Sequence, residues 1–156
     1  MRTVYKVLAY LIALEVMVQA AAMVYAVAGL GIWVVRDGGV LDKAAFVSEE
    51  TLFPEIVGFM IHGLNGMMVI PALALIFLIL SFFAKVPGGW KWALGTLVLV
   101  VVQVSLGIFG HENAIFGMLH GVNALLLFST ALLAGLRVKR VTEGAGSYQA
   151  AERELV

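Results

Sequence analysis

The chain has 156 residues, 62% of them apolar and 13% charged, with a mean hydropathy of +1.03 and a formal net charge of zero. A soluble domain of this size could not hide so much apolar surface, so lipid is the expected solvent. The neutral balance gives no attraction to nucleic acid, and the lack of cysteine excludes disulfides, thiolate metal centres, iron–sulfur clusters and c-type haem attachment.

The first apolar run extends from about Val4 to Val35. Arg2 and Lys6 precede it, and the small residues Ala20 to Ala22 resemble a signal-peptidase site, but the run is too long for a signal-peptide core. It is expected to remain as a membrane span. A polar connection, Arg36 to Pro54, follows and carries Asp37, Asp42, Glu49 and Glu50. It reads as a solvated loop with a short interfacial helix.

Three more spans follow, at about Pro54 to Phe83, Trp90 to Gly110 and Ala114 to Leu136. Each supplies the roughly 20 apolar residues that a helix needs to cross a bilayer, and helices satisfy their own backbone hydrogen bonds there. The fold expected is an all-α integral membrane four-helix bundle made of two tandem hairpins. Residues 1–140 form the transmembrane domain and 141–156 a cytoplasmic tail. Eight basic residues (Arg2, Lys6, Lys85, Lys91, Arg137, Lys139, Arg140, Arg153) lie at the termini and the middle connection, against Arg36 and Lys43 in the other two. This bias predicts a multi-pass cell-membrane protein with both termini in the cytoplasm.

One motif occurs twice. "IHGLNGM" contains His62, Gly63, Asn65 and Gly66; 58 residues further on, "LHGVNAL" contains His120, Gly121, Asn123 and Ala124. A glutamine recurs as well, Gln19 after Val18 and Gln103 after Val102. Counted from the span ends, His62 lies about 12 Å and His120 about 9 Å along their helices, so all four spans offer a polar group at a similar level. Polar groups in a bilayer are costly and face a bundle interior. Gly58, His62 and Gly66 share one helix face, as do Gly117, His120 and Ala124. A flat ligand could lie against such faces. With histidine the strongest metal ligand present, two histidines on opposing helices suit axial ligation of one b-type haem held between the second and fourth spans. Asn65 and Asn123, or the two glutamines, would orient the imidazoles, and Arg36 or Lys43 would pair with haem propionates. His111, near the outer end of the third span, reads as a surface residue or as one near those propionates.

Two other readings stay open. Small residues beside polar ones also describe plain helix packing in membranes, which gives a haem-free accessory subunit. Glu15, one turn from Gln19 in the first span, would serve a small transporter or sit protonated against a neighbouring helix. Pro71 is expected to kink the second span.

"VLVVVQVSLGIFG" with "LHGVNALLLF" resembles the third and fourth helices of one half of heme A synthase, and the likeness covers most of Glu55 to Leu136. The chain is also similar to small four-span membrane proteins of actinobacterial type. The heme A synthase resemblance implies a four-helix half whose second and fourth helices carry haem-ligating histidines, here His62 and His120. The glutamate–histidine–arginine set of that family's catalytic half does not recur: Gly63 follows His62, and the nearest upstream acid is Glu55. The expectation is therefore a cytochrome b561-like electron carrier or haem-holding subunit rather than an enzyme alone. A quinone or an oxidoreductase subunit is its expected partner.

Overall fold

The computed structural model describes residues 1–47 and 50–154, with the side chains of residues 1–45 and 50–138. Glu49 and the side chains of Lys139, Arg140 and Arg153 lie outside the described residues. The fold is all-α. Its elements are α1 (Arg2–Val35), α2 (Lys43–Val47), a 3-10 turn (Pro54–Ile56), α3 (Val57–Leu64), a π-turn (Asn65–Val69), α4 (Ile70–Ser81), α5 (Gly89–Gly110) and α6 (Ala114–Glu154). Among the described residues, four helical stretches are long and apolar enough to cross a membrane: Arg2–Val35, Pro54–Ser81, Gly89–Gly110 and Ala114–Val138. They match the four expected spans. α6 runs on as one helix to Glu154, through the segment expected to form the tail.

Local chemistry sets the boundaries. Gly38, at φ 75°, follows the end of α1, in the left-handed region that glycine enters without penalty. Gly88, at φ 67°, does the same just before α5. The Asn113 side chain accepts from the Ile115 amide at 2.9 Å and caps the start of α6. Asp42 accepts from the Ala45 amide at 2.9 Å and caps α2 in the polar connection.

The chain divides into two compact units, residues 17–69 and residues 1–16 with 70–156. The boundary cuts across the first hairpin instead of separating it from the second. In the larger unit the start of α1 packs with α4, α5 and α6 around Tyr5, Ile12, Phe77, Val100 and Leu127. Ala9, Ala74, Ala93, Ala131 and Ala134 are fully buried there, since small side chains let helix backbones approach closely where no water drives them together. The Tyr5 hydroxyl donates to the Gly89 carbonyl at 3.0 Å, and Arg2 reaches the Lys85 carbonyl at 3.2 Å. Lys91 lies over Trp90, and Arg137 over Trp92 at 5.4 Å. These contacts bring Arg2, Lys91 and Arg137 to the Lys85–Trp92 segment.

The smaller unit pairs the rest of α1 with α3. A Cβ on Gly58 would collide with the Ala22 carbonyl, so only glycine permits this approach. Trp33 stacks on Phe53 at 5.6 Å near the far end.

Candidate functional site

Each unit holds one histidine of the repeated motif, and each histidine meets a glutamine from the preceding span. In the larger unit, His120 Nδ1 lies 2.9 Å from the Gln103 backbone carbonyl. A carbonyl only accepts, so Nδ1 carries the proton and the ring's lone pair is on Nε2. Asn123 donates twice from its amide, to the Leu99 carbonyl at 2.9 Å and to Gln103 Oε1 at 2.7 Å. Asn123 is 6% exposed, and these bonds satisfy its buried donors. The ring rests against Gly107, where a Cβ would stand 3.1 Å from His120 Cε1. Gly107 therefore makes room for the imidazole.

The smaller unit repeats the set with a difference. His62 Nδ1 lies 3.2 Å from the Gln19 backbone carbonyl, a longer counterpart of the His120 contact. The Gln19 side chain also reaches this ring. Its oxygen accepts from Asn65 Nδ2 and from the Gly66 amide, each at 3.0 Å. Its NH2 donates to the His62 carbonyl at 3.0 Å and to His62 Nδ1 at 2.7 Å. Two backbone groups fix that orientation, because the Gly66 amide can only donate and the His62 carbonyl can only accept. The NH2 must then face Nδ1, which holds the lone pair. The shorter contact wins, and the 3.2 Å approach to the Gln19 carbonyl is secondary.

This carboxamide also explains the π-turn. His62 and Gly66 stand four apart, the spacing of an α-helical hydrogen bond. Gln19 inserts between that carbonyl and that amide and opens the ladder, a recognised cause of helix irregularity. Pro71, which lacks an amide hydrogen, follows just after the turn and removes another ladder bond. The π-turn covers Asn65–Val69 and was not expected from the sequence, where only a kink at Pro71 was.

The remaining candidates fall into three groups. Gly58 and Gly66 face α1, where Ala22, Ala26 and Gln19 fill the space beside them. Gly63, Gly117 and Gly121 border open space, and Ala124 is half-buried. Arg36 is exposed and paired with Asp37 at 2.8 Å. That hydrogen bond raises the Arg36 pKa and holds the Asp37 carboxyl below the usual carboxylate range. His111 is exposed at the end of α5, and Glu15 is half-buried in α1. Sequence reasoning missed the backbone carbonyls of Gln19 and Gln103 as histidine partners, and it missed Gly107.

Among the described residues, no group of three or more His, Asp or Glu could hold a metal ion by itself. Axial haem ligation asks less: a histidine that presents a lone pair while its other ring nitrogen is bonded. At His120 the Gln103 carbonyl fixes the tautomer that this requirement asks for. His62 meets it only if the Gln19 carboxamide leaves Nδ1. Fold and site together define an all-α membrane protein of four spans with a twice-repeated glutamine–histidine–asparagine cluster. No family model, curated protein or solved structure matches the chain.

Proposed function

We propose that the protein is a membrane b-type cytochrome in which His62 and His120 are haem ligands. The observation that carries this reading is the His120 arrangement, with Nδ1–H anchored on the Gln103 carbonyl at 2.9 Å. Such an anchor fixes the tautomer and ring orientation that iron ligation needs. The repeat of the same three residue types around His62, and the motif resemblance to a half of heme A synthase, support it further. Haem with two imidazole ligands supplies one-electron chemistry with both axial positions filled, which favours electron transfer over oxygen activation. The chain's own part is to hold the rings. The Gln103 backbone carbonyl fixes His120, Asn123 ties α6 to α5 beside it, and Gly107 leaves space for the ring. A quinone or an oxidoreductase subunit would be the redox partner, and the cell membrane, with both termini cytoplasmic, the setting.

The test is purification in detergent from cells supplied with ample haem, followed by extraction and quantification of the haem. Stoichiometric non-covalent haem b is expected. Protein that stays haem-free, and takes up none when haem is added, would overturn the reading.

One observation favours a second reading. Gln19 satisfies a backbone carbonyl and a backbone amide of the facing helix at once, as a polar fastener in a haem-free accessory subunit would. On that reading the purified protein is colourless. Replacement of either histidine then costs only about 1 kcal/mol of stability.

A further inference from the structure

We infer that Gln19 is a positioning residue that holds His62 in the tautomer opposite to that of His120, so that ligation by His62 requires the Gln19 carboxamide to let go. The first half rests on geometry alone. Gln19 places an NH2 donor 2.7 Å from His62 Nδ1, with its orientation fixed by the Gly66 amide and the His62 carbonyl. A neutral imidazole that accepts at Nδ1 carries its proton on Nε2. His120 Nδ1 faces a carbonyl at 2.9 Å and carries its proton there. The repeat is therefore symmetric in residues and asymmetric in protons.

The second half rests on the cytochrome reading. A ring protonated at Nε2 has no lone pair there for iron. A replacement partner for Nδ1 already stands in place, because the Gln19 backbone carbonyl is 3.2 Å away. When the carboxamide withdraws, Nδ1 can take the proton and donate it to that carbonyl, as His120 does to Gln103. Withdrawal also releases the Gly66 amide, which can then donate to the His62 carbonyl as its ordinary α-helical partner, beside the Asn65 amide that this carbonyl already accepts. Ligation at His62 is thus coupled to closure of the π-turn.

The experiment begins with haem-free protein carrying 15N-labelled histidine, in micelles at about pH 9, where imidazole is neutral. His111→Asn removes the third histidine's signals. In the wild type, His62 should show a protonated Nε2 and His120 a protonated Nδ1. In Gln19→Met, His62 should change to a protonated Nδ1 while His120 stays as it was, and the Gly66 amide should exchange more slowly as the turn closes. Wild-type His62 with its proton on Nδ1 overturns the inference without any variant, and so does a Gln19→Met protein whose His62 tautomer is unchanged. Haem titration follows. Gln19→Met should bind haem about tenfold more tightly, the equivalent of one net hydrogen bond that no longer has to break. Equal or weaker binding would sever the tautomer from ligation. Absence of haem binding in both proteins would instead defeat the cytochrome reading and leave the tautomer assignment to stand on its NMR result.

Discussion

Asn123 shows how a single residue holds the larger unit's site together. It is nearly buried, and both amide hydrogens are used on α5, at Leu99 and at Gln103. Asn123→Leu should cost about 1 kcal/mol, the scale of an interhelical hydrogen bond in a membrane, measured by unfolding in mixed micelles; no change would show that these bonds do not hold α5 to α6. Arg36 makes a smaller point. Its bond to Asp37 favours the ionised carboxylate, so the pair's contribution is present above the ordinary carboxylate pKa and fades as pH falls through the depressed one. In Arg36→Gln the Asp37 carboxyl should titrate at higher pH, followed by the 13C shift of its carboxyl carbon. The expected pairing of Arg36 with propionates would have to displace this contact. The histidines, asparagines and glutamines were legible because polar residues are conspicuous in apolar runs. Their pairing was not, since each histidine's anchor is a backbone carbonyl, which no residue type announces. Gly107 was equally hidden, one of 17 glycines in the chain.

Among the elements, the stretch from Pro54 to Ser81 is the informative one. Its length and hydropathy are plain in the sequence, and it forms one membrane-length helical stretch. Its interruption at Asn65–Val69 was not legible. Pro71 announced a local irregularity, but the inserted carboxamide comes from Gln19, far away in the chain. These two causes can be separated. Pro71→Ala restores one amide yet leaves Gln19 in the ladder, so the π-turn should persist. Carbon-13 chemical shifts of residues 61–70 would show this, and their reversion to α-helical values would assign the turn to the proline instead. Packing of α3 on α1 depends on Gly58. Gly58→Leu should destabilise the protein by about 1–3 kcal/mol through overpacking against Ala22 and Ala26, as read by its thermal midpoint in detergent.

For the whole molecule, composition sufficed for the class: four membrane-length helices in an all-α fold. The repeated motif suggested a tandem-hairpin plan, but the division at residues 16/17 and 69/70 was not legible, because uniformly apolar spans carry no mark of which segments pack together. Clustering of Arg2, Lys91 and Arg137 near the Lys85–Gly89 connection provides one basic end. That end is expected on the cytoplasmic side, so a reporter active only outside the membrane should stay silent when fused to Val156. The central claim, that His62 and His120 ligate haem, is tested most directly by absorption spectra of the haem-loaded protein and its histidine variants. The wild type and His111→Ala should show the low-spin spectrum of a bis-histidine haem, and His62→Ala and His120→Ala should each lose it. A colourless wild type, or a low-spin spectrum that survives His120→Ala, would contradict the claim.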